Sequence, residues 1–185
     1  MRLGYQGAVG SNSEIAAREI VAKRGMDDVE LVPLIGSRSV VEELSSGRID
    51  LGVVAVRNSI AGQVSETLEA IEGRSLTVLD THTIDIHHFL YKLPEVDEAD
   101  LLYVASHPQA LAQTRLTRRE QFPSLEEQPV ADTAIAAAWL ASGKLAHDVA
   151  VLCRREAGQM WGLDLIASNL EDHPGNQTTF VLLML

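Results

Sequence analysis

The sequence predicts an α/β fold built as two lobes, and three observations carry that prediction. Short apolar runs alternate with segments of helical periodicity along the 185 residues, the signature of strands interleaved with helices. The alternation is interrupted by a long β-rich stretch over 76–93, whose length suggests a strand crossing from one lobe to the other. The strand–helix pattern then restarts, and a closing apolar strand over 178–183 is placed to return to the first lobe.

Taken in order, residues 2–5 read as the first strand and 13–23 as a helix stopped by Gly25. Residues 29–34 are a second strand. Ser37 is expected to cap a helix that runs through residue 44 and ends at Gly47. The run Leu51-Gly52-Val53-Val54-Ala55-Val56 is nearly continuous in apolar character, as in a buried parallel strand. Residues 62–71 are expected to be helical, with Val64, Leu68 and Ile71 on one face. In the second lobe, strands are expected over 101–105 and 149–153, and helices over 108–119, 134–141 and 154–160. This divides the chain into residues 1–78 with 170–185, and residues 79–169. Hinged folds of this plan bind ligands between the lobes, at the carboxyl ends of the strands.

Composition narrows the partners. Hydrophobic residues make up 46% and charged residues 22%, enough to bury a core without covalent staples. The single cysteine, Cys153, excludes an internal disulfide, and its apolar run reads as a small buried hydrophobe. No apolar stretch approaches the ~20 residues that span a bilayer, and Met1-Arg2-Leu3-Gly4-Tyr5 carries no apolar signal segment. A cytoplasmic protein without membrane contact is expected. The net charge of -11 argues against nucleic acid, which needs clustered Lys and Arg. An anionic ligand would need local positive potential from a few arginines or from helix N-termini.

Four junctions offer such potential. Gly7-Ala8-Val9-Gly10-Ser11-Asn12-Ser13-Glu14 follows the first strand, with Ser11 or Ser13 as the cap. Arg57-Asn58-Ser59-Ile60-Ala61-Gly62 follows the third. Ser106-His107-Pro108-Gln109-Ala110 places Pro108 in a first helical turn with Ser106 as the cap. Asp132-Thr133-Ala134 is the fourth. Exposed amides and the helix dipole make each a candidate carboxylate site, alongside the plainer reading that each is only a cap. The histidines do not suggest a metal. Strand alternation separates His87 from His82 and His88, and no Cys or carboxylate cluster completes a set. His107 could act as an acid or base, or simply pack and hydrogen-bond.

Along nearly the whole chain, ordered motifs resemble the prephenate dehydratase family. They are Leu3-Gly4-Tyr5-Gln6-Gly7 with Gly10-Ser11-Asn12-Ser13-Glu14; Asp50 through Ser59; Gly62-Gln63-Val64 with Thr67-Leu68; Ile86-His87; Ser106-His107-Pro108-Gln109-Ala110-Leu111-Ala112-Gln113; Trp161-Gly162-Leu163; and Asn176-Gln177-Thr178-Thr179-Phe180. The resemblance implies a periplasmic-binding-protein-like (type 2) fold with an active-site cleft between the lobes. It implies conversion of prephenate to phenylpyruvate with loss of carbon dioxide and water, without a cofactor, in a homodimer. It makes Thr178 the residue that assists departure of the ring hydroxyl, as a hydrogen-bond donor rather than a free acid. Substrate binding then falls to Ser11, Arg57, Asn58 and Ser59, to Ser106, His107, Gln109 and Thr133, and to Thr179 and Phe180.

Three positions depart from the family. Arg57 stands where the family has Glu before Asn-Ser, Thr179 where it has the Arg of Thr-Arg-Phe, and Ala61 where an acidic residue often precedes the glycine. One position gains an arginine and the other loses one, so Arg57 is a candidate to supply charge that the missing arginine would have given; independent drift at two surface positions is the alternative. Many members carry a C-terminal ACT domain that senses phenylalanine, whereas this sequence ends just past the closing strand. Other readings are a relative in specialised metabolism, either a prephenate decarboxylase or a lyase on another cyclic acid as in tropolone-type antibiotic pathways, and a small-carboxylate-binding module without catalysis. Thr178 favours hydroxyl elimination.

Overall fold

The computed structural model describes residues 1–185. Contacts divide the chain into two units, Met1–Ala8, Asn12–Ile86 and Gly175–Leu185 forming one, and Val9–Ser11 with His87–Pro174 the other. Besides the short excursion at Val9–Ser11, the changes of unit fall after residues 86 and 174; the sequence reading placed them after 78 and 169.

The first unit is a sheet flanked by helices. Strands β1 (Arg2–Gln6), β2 (Glu30–Leu34) and β3 (Leu51–Asn58) are mutually parallel, and the closing strand β11 (Gln177–Met184) lies antiparallel between β3 and β5 (Thr77–Asp85), giving the order β2-β1-β3-β11-β5. The two-residue β4 (Gly62–Gln63) pairs with the end of β3. The period of two along β11 distributes its side chains to two cores. Phe180 and Leu182 pack with Leu3, Tyr5, Val53 and the α1 (Asn12–Lys23) residues Ala16, Ala17 and Ile20. Val181 and Leu183 pack with Val54 and the α2 (Ser37–Ser45) residues Val40 and Leu44. Each fully buried Leu, Val or Phe contributes about 1.5–3 kcal/mol, so a strand that feeds both cores is firmly held in register.

Two expectations fail here. Ser37 is the first residue of α2 and not its cap; its buried hydroxyl donates to Thr67, which donates onward to the Ala55 carbonyl. The helix expected over 62–71 is shorter, α3 (Ser65–Ile71), because Gly62 and Gln63 are taken by β4. Its buried positions are Thr67 and Ala70, while Leu68 is exposed.

In the second unit the order is β10-β6-β9-β7-β8. Here β7 (Tyr103–Ser106) is parallel to β8 (Glu126–Pro129) and to β9 (Val149–Cys153), and β6 (Phe89–Lys92) is antiparallel to β9 and to β10 (Asp164–Ala167). The core gathers Leu90, Val104, Leu111, Ala150, Leu152 and Leu170. The β-rich stretch over 76–93 is thus two strands in two sheets, broken at Ile86-His87-His88. The helix expected over 108–119 is also two, α4 (Pro108–Gln113) and α5 (Arg115–Gln121). Thr114 bonds back to the Ala110 carbonyl at 2.8 Å, and the Asp172 carboxylate accepts from the Leu116 and Thr117 amides at 3.0 and 2.8 Å, starting a new helix. The remaining helices are α6 (Thr133–Ala141) and α7 (Arg155–Met160), with a single 3-10 turn at Glu98–Asp100. No helix is long and apolar enough to cross a membrane.

Candidate active site

In the first unit the expected residues converge on the end of the β3–β11 ladder. Asn58 is the last residue of β3 and is the register partner of Thr178. It is 3% exposed, so each of its polar atoms needs a partner. Its Oδ1 accepts from the Ile60 and Ala61 amides at 3.0 and 2.9 Å, closing a turn. That fixes the orientation of the side-chain amide: Nδ2 faces the Asn176 Oδ1, the Gln177 carbonyl and the Thr178 Oγ1, at 2.8, 3.0 and 3.0 Å. Thr178 is therefore an acceptor toward Asn58, and its own hydroxyl proton has no acceptor within the chain. Ser59 completes the tie, its amide donating to the Gln177 carbonyl and its hydroxyl exchanging bonds with the Gly175 carbonyl and the Gln177 amide.

The segment after Asn58 is thus an Asn-closed turn and not a helix start, and its amides are spent on Asn58. Phe180 is 1% exposed in the core; its ring anchors β11 two residues beyond Thr178. Arg57 and Thr179 are partners across the same ladder. Alternation turns them to the face opposite Asn58 and Thr178. Thr179 shares a 3.0 Å hydroxyl contact with Thr83 of β5. Two of the three departures from the family, Arg57 and Thr179, are therefore facing positions on neighbouring strands. Asn176, absent from the site expected from sequence, is 2% exposed and receives the shortest of the Asn58 bonds; its place two residues before Thr178 in the closing motif was the available signal.

In the second unit the helix starts are largely self-capped. Ser106 is fully buried and donates to the Leu152 carbonyl at 2.7 Å, stapling β7 to β9, so it is not the cap of α4. That cap is His107, whose Nδ1 accepts from the Gln109 amide at 3.2 Å. A ring that accepts at Nδ1 carries its proton at Nε2 when neutral, leaving that N–H to serve as a donor. Gln109 is exposed. Thr133 opens α6, but Asp132 caps it, accepting from the Ala134 and Ile135 amides at 2.8 and 2.9 Å. A carboxylate ligand at α6 would compete with the carboxylate of Asp132. Ser11 is 4% exposed. Beside it Gly10 has a φ of +85°, and a Cβ there would come within 3.0 Å of the Ala157 Cβ on α7, so this loop requires glycine on both counts.

The histidines of the β-rich stretch are individually engaged. His82 Nε2 meets Glu19 at 2.6 Å, His87 Nδ1 meets Glu171 at 2.6 Å, and buried His88 contacts Gln113 at 3.1 Å. Burial pushes the Cys153 thiol up to about 12, which keeps it protonated and unreactive.

Two α/β sheets, with Asn58 and Thr178 paired at the carboxyl end of a central parallel strand, make an α/β fold of the periplasmic-binding-protein-like class. A nutrient binding protein from Burkholderia cenocepacia bound to methionine shares that fold, with a TM-score of 0.54 at 13% identity over 100% of this chain and 84% of its own. The family model for prephenate dehydratase matches residues 3–184, and the chain belongs to the prephenate dehydratase family. It is 31% identical over 183 residues to Arogenate dehydratase 5, chloroplastic, of Arabidopsis thaliana, covering 99% of this chain and 42% of that protein. It is 30% identical over 184 residues to the prephenate dehydratase of Lactococcus lactis subsp. lactis (strain IL1403), covering 99% and 63%. The structure of the prephenate dehydratase from Arthrobacter aurescens in complex with L-Phe matches with a TM-score of 0.88 at 26% identity, over 100% of this chain and 60% of that one. The chain thus spans less than two thirds of the length of these relatives.

Proposed function

We propose that this chain is a lyase that converts prephenate to phenylpyruvate, carbon dioxide and water. The observation that carries the reading is the Asn58–Thr178 pair, in which the amide donates into the hydroxyl oxygen and leaves the hydroxyl proton without an acceptor in the chain. As the ring carboxylate departs as carbon dioxide, its bonding electrons enter the ring and the ring hydroxyl leaves, taking one proton from solvent to become water. Charge develops on that departing oxygen. A donor placed there in advance acts on the transition state more than on the bound substrate, and the amide behind it polarises the hydroxyl further. Ser59 stands beside this pair as a substrate-holding group and Arg57, on the opposite face of the ladder, as a source of positive potential, with Ser11, Ser106, His107, Gln109, Thr133 and Thr179 as further contributors. No step calls for a cofactor, and the family resemblance supports a homodimer.

Arogenate, the amino-acid counterpart after which several relatives are named, is the second candidate substrate. Incubation with prephenate and analysis of the product tests the reading. Phenylpyruvate is expected; a decarboxylated acid that keeps its hydroxyl, or ligand binding without turnover, overturns it.

A further inference from the structure

We infer that Arg57 makes this site select the keto acid prephenate over the amino acid arogenate; the inference rests on the dehydratase reading above and names the substrate within it. The guanidinium of Arg57 is exposed and has no hydrogen bond, ion pair or ring contact within the chain. Several other arginines are paired with a carboxylate, as in Arg18–Glu14, Arg48–Glu43 and Arg118–Glu127. Both cross-strand partners of Arg57, Thr179 and Gln63, are uncharged, and Asp85 of β5, which keeps its charge while accepting from the neutral Gln177 amide, makes no ion pair with Arg57. A positive charge without an ion-pair partner is thus carried by the residue next to Asn58, whose Cα lies about 3.8 Å away. Its face is opposite that of Thr178, so it acts through its field rather than by contact. Screening sets the reach of such a field at about 8 Å at physiological salt.

Prephenate and arogenate share two carboxylates and the ring hydroxyl. They differ where one has a ketone and the other an ammonium, so prephenate is a dianion and arogenate carries one net negative charge. A lone cation favours the dianion and opposes the ammonium. For unit charges about 8 Å apart, the preference spans about twofold in a water-like dielectric to about thirtyfold at an effective dielectric near 20.

The test is kcat/KM for both acids on the unmodified chain and on Arg57→Gln, Arg57→Lys and Arg57→Glu, at low and high salt. The expected result is a prephenate-to-arogenate ratio that falls about twofold to thirtyfold in Arg57→Gln, falls further in Arg57→Glu, holds in Arg57→Lys, and shrinks toward the Gln value at high salt. If both acids are turned over and the ratio is the same in Arg57→Gln, this inference is overturned and the dehydratase reading stands. If the unmodified chain turns over neither acid, the dehydratase reading falls and this inference with it.

Discussion

The side-chain amide of Asn58 donates to the Thr178 hydroxyl at 3.0 Å across the β3–β11 ladder, joining residues 120 apart in the chain. The direction of that bond sets the first prediction. Thr178→Ala removes a donor that matters only as the ring hydroxyl departs, so kcat on prephenate should fall by about 10²–10³ while KM changes by less than about threefold. Thr178→Ser keeps the donor and should retain most of the activity. Steady-state kinetics decides, and an equal loss in KM would remove the transition-state role.

Asn58 carries both turn and donor, and two substitutions separate them. Asn58→Ala strips a buried site of both functions and should cost about 2–4 kcal/mol of stability, lowering Tm by about 5–15 °C. Asn58→Asp keeps the acceptor for the Ile60 and Ala61 amides but reverses the second bond. The Thr178 hydroxyl then donates to the carboxylate, and its proton is drawn away from the substrate. The same oxygen would also face the Gln177 carbonyl, which lies 3.0 Å from Nδ2, so this variant should melt no higher than Asn58→Ala, and its folded fraction should turn over as slowly as Thr178→Ala. Normal turnover by folded Asn58→Asp would contradict the proposed direction of the hydrogen bond.

Why some of this was legible in sequence and some not follows from the range of the interactions. β9 matched its expectation residue for residue because Val149–Cys153 is an apolar run with every side chain buried. β8, with sequence Glu-Glu-Gln-Pro, lies at a sheet edge and has no apolar signature to read. The break at Thr114 depends on Asp172, which is remote in sequence and close in space. Likewise Ser106 was the expected cap of α4, and His107 takes that place because the Leu152 carbonyl of the neighbouring strand claims the serine. The pairing of Arg57 with Thr179 depends on strand register, which neither motif states by itself.

Stability should fall as the solution is acidified, in two windows. Burial holds the His88 imidazole below its ordinary value of 6.5, and the Gln113 contact and the nearby Glu171 charge offset only part of that. The unfolded chain therefore takes up the proton first, and stability present above pH 6.5 is lost as pH falls below it, by up to about 1.36 kcal/mol per pH unit. Burial pushes the Glu171 carboxyl up, but the His87 ring and the His88 amide outweigh burial and hold it below 4.5. Its contribution is present above pH 4.5 and is lost only under more acidic conditions. Urea unfolding between pH 7.5 and 5 should show a declining free energy that His88→Gln flattens. If the variant keeps the same slope between pH 6.5 and 5, His88 is not its source.

Gly158 lies inside α7, where replacement by alanine ordinarily stabilises a helix by up to about 1 kcal/mol. Here the sign should reverse. A Cβ at this position would overlap the ring of Tyr91, which is 2% exposed and held on β6. The ring cannot swing into solvent without vacating the core, so backbone or ring must shift, at a cost of about 1–3 kcal/mol. Thermal melts of Gly158→Ala should show Tm lower by about 2–10 °C. The cause can be isolated in a Tyr91→Leu background, where the smaller side chain leaves room for the methyl and the helix propensity of alanine is no longer opposed. Gly158→Ala should be neutral or stabilising there. An equal loss in both backgrounds would place the cost elsewhere than the contact between α7 and the Tyr91 ring.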